Sequence, residues 1–302
     1  MTTVEEDPID VTLTPTNPIK MIAIDIDGTL LTPQQQISPR TRQAIQKARA
    51  AGIIITLATA RRYGNSKQFA TELDIDIPLI NYDGALIIHH PDSIVLHTHP
   101  FPIKIARQAS DIMIRYGIQP VIQRINDATE ETWSGPVDFD HPGLQGYATA
   151  YPGITRVEHA HFWQDQINPL RVVAFATEAE IAHMLPEITQ LDCSWHIISK
   201  GSYNSAELSI MGKACSKALG VTTLAQHLNI PLTQVMAIGD NTNDSEMLQT
   251  VGWGVAMGQA PAAIQEVAHA VTATNSEDGV ALAIERYALR CDCTAASNSR
   301  KR

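Results

Sequence analysis

At roughly 150 residues per domain, 302 residues make room for about two domains. The 44% hydrophobic and 18% charged content rules out a chain that stays unfolded by self-repulsion. Lysine and arginine number 22 against 32 aspartates and glutamates, a formal charge of −10, which argues against a nucleic-acid binder and anionic membrane surfaces. A phosphorylated small molecule stays open, since a metal can supply positive charge locally.

The N-terminus, with Glu5, Glu6, Asp7 and Asp10, has no basic start or apolar run and is not a signal peptide. No apolar run reaches the roughly 18 residues of a membrane helix. Cys193, Cys215, Cys291 and Cys293 form no paired framework and read as reduced thiols of a cytoplasmic protein. Residues 1–18 and 290–302 read as loose ends, the second carrying Cys291-x-Cys293 and Ser299-Arg300-Lys301-Arg302.

Between these ends, Lys20–Ile24 is a short apolar run suited to a strand buried on both faces. Ser38-Pro39 opens a helix, as N-cap and first helical residue, and Gly52 closes it. Ile53–Ala58 and Pro78–Ile80 repeat the buried-strand pattern. So do Val235–Ile238, after a helix near 216–229, and Val255–Met257. Buried strands alternating with amphipathic helices predict a doubly wound parallel α/β sheet.

The middle reads differently. Leu86–His90, a Pro91-Asp92-Ser93 turn and Ile94–His99 predict an antiparallel hairpin. A helix over 103–116 and a strand over 119–125 follow, then an irregular loop over 134–153. Strand 171–176, helix 178–191 and strand 195–199 complete an inserted α+β domain. The expected organisation is a core of 19–86 and 200–289 interrupted by a cap over 87–199.

Three buried strands run into oxygen-bearing side chains: Asp25, Thr59 and Asp240. Ligands of open α/β sheets bind outside the carboxyl ends of the strands, so these residues are expected along one rim. In Asp25-Ile26-Asp27-Gly28-Thr29, two carboxylates at i and i+2 precede a glycine that lets the chain turn away. An EF-hand loop fits poorly, because its glycine falls at the sixth position; a plain Asp-rich turn remains the alternative. Asp240 and Asp244 add two acids on one side of a helical turn. Four acids at one rim repel unless a hard cation neutralises them, and Mg²⁺ suits an oxygen-only set. Lys217 supplies further positive charge.

With these motifs the chain resembles the haloacid dehalogenase superfamily of phosphatases, in the Cof-like branch with a type IIB α/β cap. The resemblance covers about residues 20–285 and rests on Asp25–Thr29, Thr59, Lys217 and Gly239-Asp240-x-x-Asn243-Asp244 in order, with Ala256-Met257-Gly258 and Glu277–Ala281. It implies an Mg²⁺-dependent phosphomonoesterase acting on a sugar phosphate, pyridoxal phosphate or flavin mononucleotide. Asp25 would be the nucleophile and Asp27 the general acid and then base. Thr59, Lys217 and Asn243 would hold the phosphoryl group. The metal would sit on Asp25, the Asp27 carbonyl, Asp240 and Asp244. A phosphotransferase such as a phosphohexomutase shares this chemistry, and a non-catalytic phosphometabolite-binding protein is the third alternative.

Three positions depart from the family pattern: Ala60 and Gln259 replace a common Gly and Asn, and Asp83 stands where Asn is usual. Asp83 is either a turn cap with solvent behind it or a substrate-side carboxylate. Nine of the 11 histidines fall in or beside the cap, including His97, His99, His159 and His161, as a second metal site, a pH response or exposed polar decoration. Trp133, Tyr147, Tyr151 and Trp163 flank the cap loop, either to stack on a leaving group or as packing.

Overall fold

The computed structural model describes residues 14–126, 128–164, 169–198 and 203–289. Cys291, Cys293, the Ser299–Arg302 tail and most of the 1–18 extension lie outside the described residues. The chain gathers into two compact units, residues 1–55 with 229–302, and residues 56–228. Among the described residues, no helix is long and apolar enough to cross a membrane.

The first unit carries a sheet in the order Ala270–Val271, Trp253–Ala256, Val235–Gly239, Met21–Ile24 and Ile54–Leu57. Met21–Ile24, Val235–Gly239, Trp253–Ala256 and Ala270–Val271 pair in parallel, with Met21 opposite Val235 and Ile24 opposite Ile238. All four residues of Met21–Ile24 are buried, as a run of apolar residues without alternation requires. The helix Pro39–Ala50 begins as expected: Ser38 Oγ accepts from Thr41 N and Pro39 occupies the first helical turn. Ser38 also donates to Asp278, which ties the helix start to the segment before Gly279–Ala283.

The second unit holds two sheets. Pro78–Asn81, Leu86–His89 and Val95–Thr98 form an antiparallel meander. The expected hairpin is therefore present, and its first strand pairs with Pro78–Asn81. The larger sheet runs in the order Cys193–Ile198, Ala206–Gly212, Pro169–Ala176, Pro120–Asn126, Thr129–Ser134 and Ile154–Arg156. The strand before Lys217 thus belongs to this mainly antiparallel sheet, with Ser209 opposite Val173.

Helices Ile103–Arg115 and Glu178–Ile188 cover one face of the larger sheet. Ala106, Ala109, Met113, Ile181 and Met184 meet Ile122, Val172, Ala174, Leu208 and Ile210 there. Strand alternation sends Val121, Val173 and Phe175 to the opposite face, against Leu144 and Tyr147. That contact corrects the expected irregular loop over 134–153, which contains the helix Pro142–Ala150. His141 Nδ1 accepts from Gly143 N at its start, and burial of Leu144 and Tyr147 outweighs two glycines that score poorly in a helix.

His159 and His161 lie in a short helical turn. Among the described residues, no histidine joins a group of metal-ligand geometry. Trp133 stacks under Arg124, and Trp163 packs edge-on against Phe162.

Candidate active site

In the first unit, parallel pairing of Met21–Ile24 with Val235–Gly239 brings Asp25 and Asp240 to one sheet edge. Asp25 N donates to Ile238 O (3.0 Å), so the chain leaves the sheet only after Asp25 is fixed. It then turns through 26–30, closed by Leu30 N donating to Asp25 O (3.1 Å). Gly28 sits there at φ +81°, where a Cβ would run into the Asp240 carboxylate. Thr29 Oγ1 donates to Asp240 Oδ1 (2.8 Å), and Asp244 Oδ2 accepts from the Asp240 and Asn241 amides (3.0 Å each).

Oxygens of Asp25, Asp240 and Asp244 consequently lie within 4.8 Å of one another. Asp25 is 4% exposed and Asp244 is fully buried. At about 5 Å and an effective dielectric of about 20, two ionised carboxylates repel by on the order of 3 kcal/mol. A fold that gathers three of them with hydrogen bonds and a glycine fits a hard divalent cation. Asp27 is exposed beside this group, and Asn243 is half-buried one residue before Asp244. Gln259 proves to be a support: its Nε2 donates to Gly28 O (2.5 Å) and its Oε1 accepts from Asn275 N (3.1 Å). Sequence reasoning marked Gln259 only as a departure, and its long-range partners left no local signal.

In the second unit, Thr59 is buried and its hydroxyl accepts from Arg61 N (3.1 Å), which leaves the hydroxyl proton to donate elsewhere. Ala60 does not take a positive φ, so replacement of the common glycine creates no strain. Asp83 N donates to Thr59 O (3.0 Å). Tyr82, Asp83 and Gly84 are successively left-handed, at φ +51°, +50° and +95°. This is an uncommon backbone for a tyrosine. At Gly84 a Cβ would meet the Ser216 carbonyl, so the loop packs directly on the start of helix Lys217–His227. Thr59, Asp83 and the Lys217 end of that helix are thus held together, with Lys217 only 1% exposed.

Asp83 is 2% exposed and its Oδ2 lies 3.5 Å from His196 Nε2. That corrects the turn-cap alternative, which required solvent behind the carboxylate. Its backbone carbonyl also accepts from Cys215 Sγ (3.6 Å), a thiol that burial pushes far above its usual range. Cys193 is pushed up to about 11, mainly by burial. Neither is an activated nucleophile.

Glu130 is the main functional candidate missed in the sequence. Its carboxylate accepts from Tyr63 N (2.8 Å), Gly64 N (2.6 Å) and Tyr82 Oη (2.6 Å). It caps helix Tyr63–Glu72 from outside, where Arg62 provides no side-chain cap.

Residues 22–284 match the sequence profile of haloacid dehalogenase-like hydrolases. The chain is 27% identical over 277 residues to the 5-amino-6-(5-phospho-D-ribitylamino)uracil phosphatase YitU of Bacillus subtilis (strain 168), across 88% of this chain and 97% of that protein. It is 26% identical over 277 residues to the pyridoxal phosphate phosphatase YbhA of Escherichia coli (strain K12), across 87% and 96%. The solved subclass IIB sugar phosphatase BT4131 shares the fold at a TM-score of 0.71 and 24% identity, over 88% of this chain and 98% of that one. The chain therefore belongs to the haloacid dehalogenase-like hydrolases, among the phosphatases of that family.

Proposed function

We propose that the protein hydrolyses a small-molecule phosphate monoester, of the sugar phosphate, pyridoxal phosphate or flavin mononucleotide type, with Mg²⁺ and through an aspartyl-phosphate. The observation that carries this reading is the convergence of Asp25, Asp240 and Asp244 within 4.8 Å, at the carboxyl ends of neighbouring parallel strands. The names of the two phosphatase relatives support a small phosphorylated metabolite as substrate.

In this reading an Asp25 carboxylate oxygen attacks phosphorus as the bond from phosphorus to the leaving oxygen breaks. Asp27 protonates that oxygen, then as carboxylate takes a proton from the water that attacks the aspartyl-phosphate. Inorganic phosphate leaves and the Asp25 carboxylate is restored. Exposure of Asp27 suits a group that must meet both leaving group and water. The Thr59 hydroxyl and Lys217 ammonium hold phosphoryl oxygens, and Asn243 supports them. Asp25, Asp240, Asp244 and the Asp27 carbonyl would hold Mg²⁺, which when bound neutralises charge between nucleophile and phosphate. The insert over 87–199 selects the leaving group. The free thiols of Cys193 and Cys215 support a reducing, cytoplasmic setting.

The test is phosphate release from a panel of phosphorylated metabolites, with hexose-phosphate isomer conversion followed in parallel. Chelator should abolish release and Mg²⁺ restore it, with Ca²⁺ failing because its longer, more numerous bonds misplace the nucleophile. Full activity in chelator refutes the metal assignment, and isomer conversion without release refutes hydrolysis.

A further inference from the structure

The second unit buries two guanidinium groups in its larger sheet, Arg124 and Arg171, half-buries two more beside it, Arg62 and Arg156, and treats the four in two ways. Arg124 Nε pairs with Glu131 (2.8 Å), and Arg156 makes two bonds to Asp140 (2.8 and 2.7 Å). Both have the carboxylate partner that a guanidinium removed from water requires. Arg171 and Arg62 do not. Arg171 is 6% exposed, and its Nε donates to the neutral Gln123 Oε1 (2.6 Å). Its Nη1 makes only a long contact to Ser209 Oγ (3.4 Å). Arg62 donates from Nη1 to Thr132 Oγ1 (3.0 Å), while its buried Nε has no hydrogen-bond partner among the described residues. Among the described residues, neither has a carboxylate within ion-pair distance.

These arginines belong to one place. Arg171 is paired across the sheet with Gln123, and Gln123 with Thr132, so the three form a single cross-strand row. Arg171 stands at one end, and Arg62 reaches the other through Thr132. Gln123 lies between them, donating to Tyr147 Oη (3.0 Å). The Arg171 guanidinium lies 5.2 Å from the Tyr82 ring centre, and that of Arg62 lies 4.6 Å from Tyr151 and 5.8 Å from Tyr147. The aromatic faces hold both planes without using up their N–H donors. Nearby carboxylates are engaged: Glu130 by two amides and the Tyr82 hydroxyl, Glu207 by Ser209 Oγ (3.1 Å), and Asp83 beside His196. The row also adjoins Thr59, since Arg62 follows it by three residues, Tyr82 N donates to Arg61 O, and Asp83 N donates to Thr59 O.

We propose that the row Arg171–Gln123–Thr132, with Arg62, is a subsite for a second anionic group on the substrate, a carboxylate or second phosphate carried by the leaving group. Two forks of unspent N–H donors suit the paired oxygens of either group. The proposal rests on the phosphatase reading and narrows its substrates to phosphomonoesters with a second negative charge.

The test compares esters that differ at one group. 3-Phosphoglycerate against glycerol 3-phosphate isolates a carboxylate, and fructose 1,6-bisphosphate against fructose 6-phosphate isolates a second phosphate. Phosphate release is measured with Mg²⁺ for the wild-type protein, Arg171→Gln and Arg62→Gln. The anionic member of at least one pair should win in kcat/KM by about ten- to a hundredfold, the range set by a hydrogen bond to a charged group. Arg171→Gln should collapse that ratio toward one; Arg171→Lys, which keeps the charge and loses the fork, should retain part of it and covers a folding failure of the first variant. Ratios at or below one in both pairs, or a ratio that survives both glutamine substitutions, overturn the subsite. If no ester, p-nitrophenyl phosphate included, releases phosphate, the phosphatase reading fails separately. Calorimetric titration of the same pairs in chelator then decides the subsite by the same ratios.

Discussion

Removing the Glu130 carboxylate by Glu130→Ala tests how the second unit holds its left-handed loop. Three donors lose their acceptor: the amides of Tyr63 and Gly64 and the hydroxyl of Tyr82. The Tyr82 hydroxyl belongs to a fully buried side chain, and an unsatisfied buried hydroxyl costs about 1–3 kcal/mol. Loss of the external cap on helix Tyr63–Glu72 adds about 1 kcal/mol, less the part that water recovers at exposed Gly64. The sum is a destabilisation of about 2–4 kcal/mol. Glu130→Gln keeps an acceptor oxygen and should lose roughly half of that or less. The assay is urea unfolding, read as a shift in midpoint at unchanged slope. Phosphatase kcat/KM should fall with it, because the Tyr82–Asp83 turn hydrogen-bonds to Thr59 and Arg61. Alkaline pH supplies a second readout. Burial, then the Glu130 charge, pushes the Tyr82 phenol well above its ordinary value. The native state therefore keeps a proton that the unfolded chain loses, so this contribution is complete below about pH 10 and falls as pH rises beyond it. That decline should be shallower in Glu130→Ala. A variant within about 0.5 kcal/mol of wild type, with unchanged kcat/KM, would refute the reasoning.

Asp25→Asn should eliminate turnover yet unfold at a higher temperature than wild type in chelator, since one of three crowded charges is gone; residual activity above about a thousandth of wild type argues against Asp25 as nucleophile. Gly28→Ala should cost at least about 1–2 kcal/mol for its positive φ and raise the Mg²⁺ concentration for half-maximal activity, because the new methyl displaces Asp240; an unchanged Mg²⁺ titration counts against the acidic cluster as the metal site. Asp83→Asn should fold normally, as asparagine tolerates the left-handed turn. It should lower KM for p-nitrophenyl phosphate while reducing kcat/KM for polar esters, and equal kinetics across the panel would leave Asp83 without a substrate role.

The parts of this protein legible in its sequence are those decided by local chemistry. Ser38-Pro39 announced a helix start because capping and proline geometry act within three residues. Met21–Ile24 and Val235–Gly239 announced buried strands because both their faces are apolar. The order of Asp25, Thr59, Lys217 and Asp240 along the chain was enough to suggest the family to which residues 22–284 belong. The helix Pro142–Ala150 was hidden because its glycines score poorly and only burial of Leu144 and Tyr147 decides it. Glu130, Gln259 and the Arg62–Arg171 pair were hidden for the same reason. Their partners lie 16 to 231 residues away along the chain, and those of the two arginines include no carboxylate among the described residues. Sequence spacing fixes which groups a turn or strand end can offer; which distant group answers them is set by packing, and packing is a property of the folded chain.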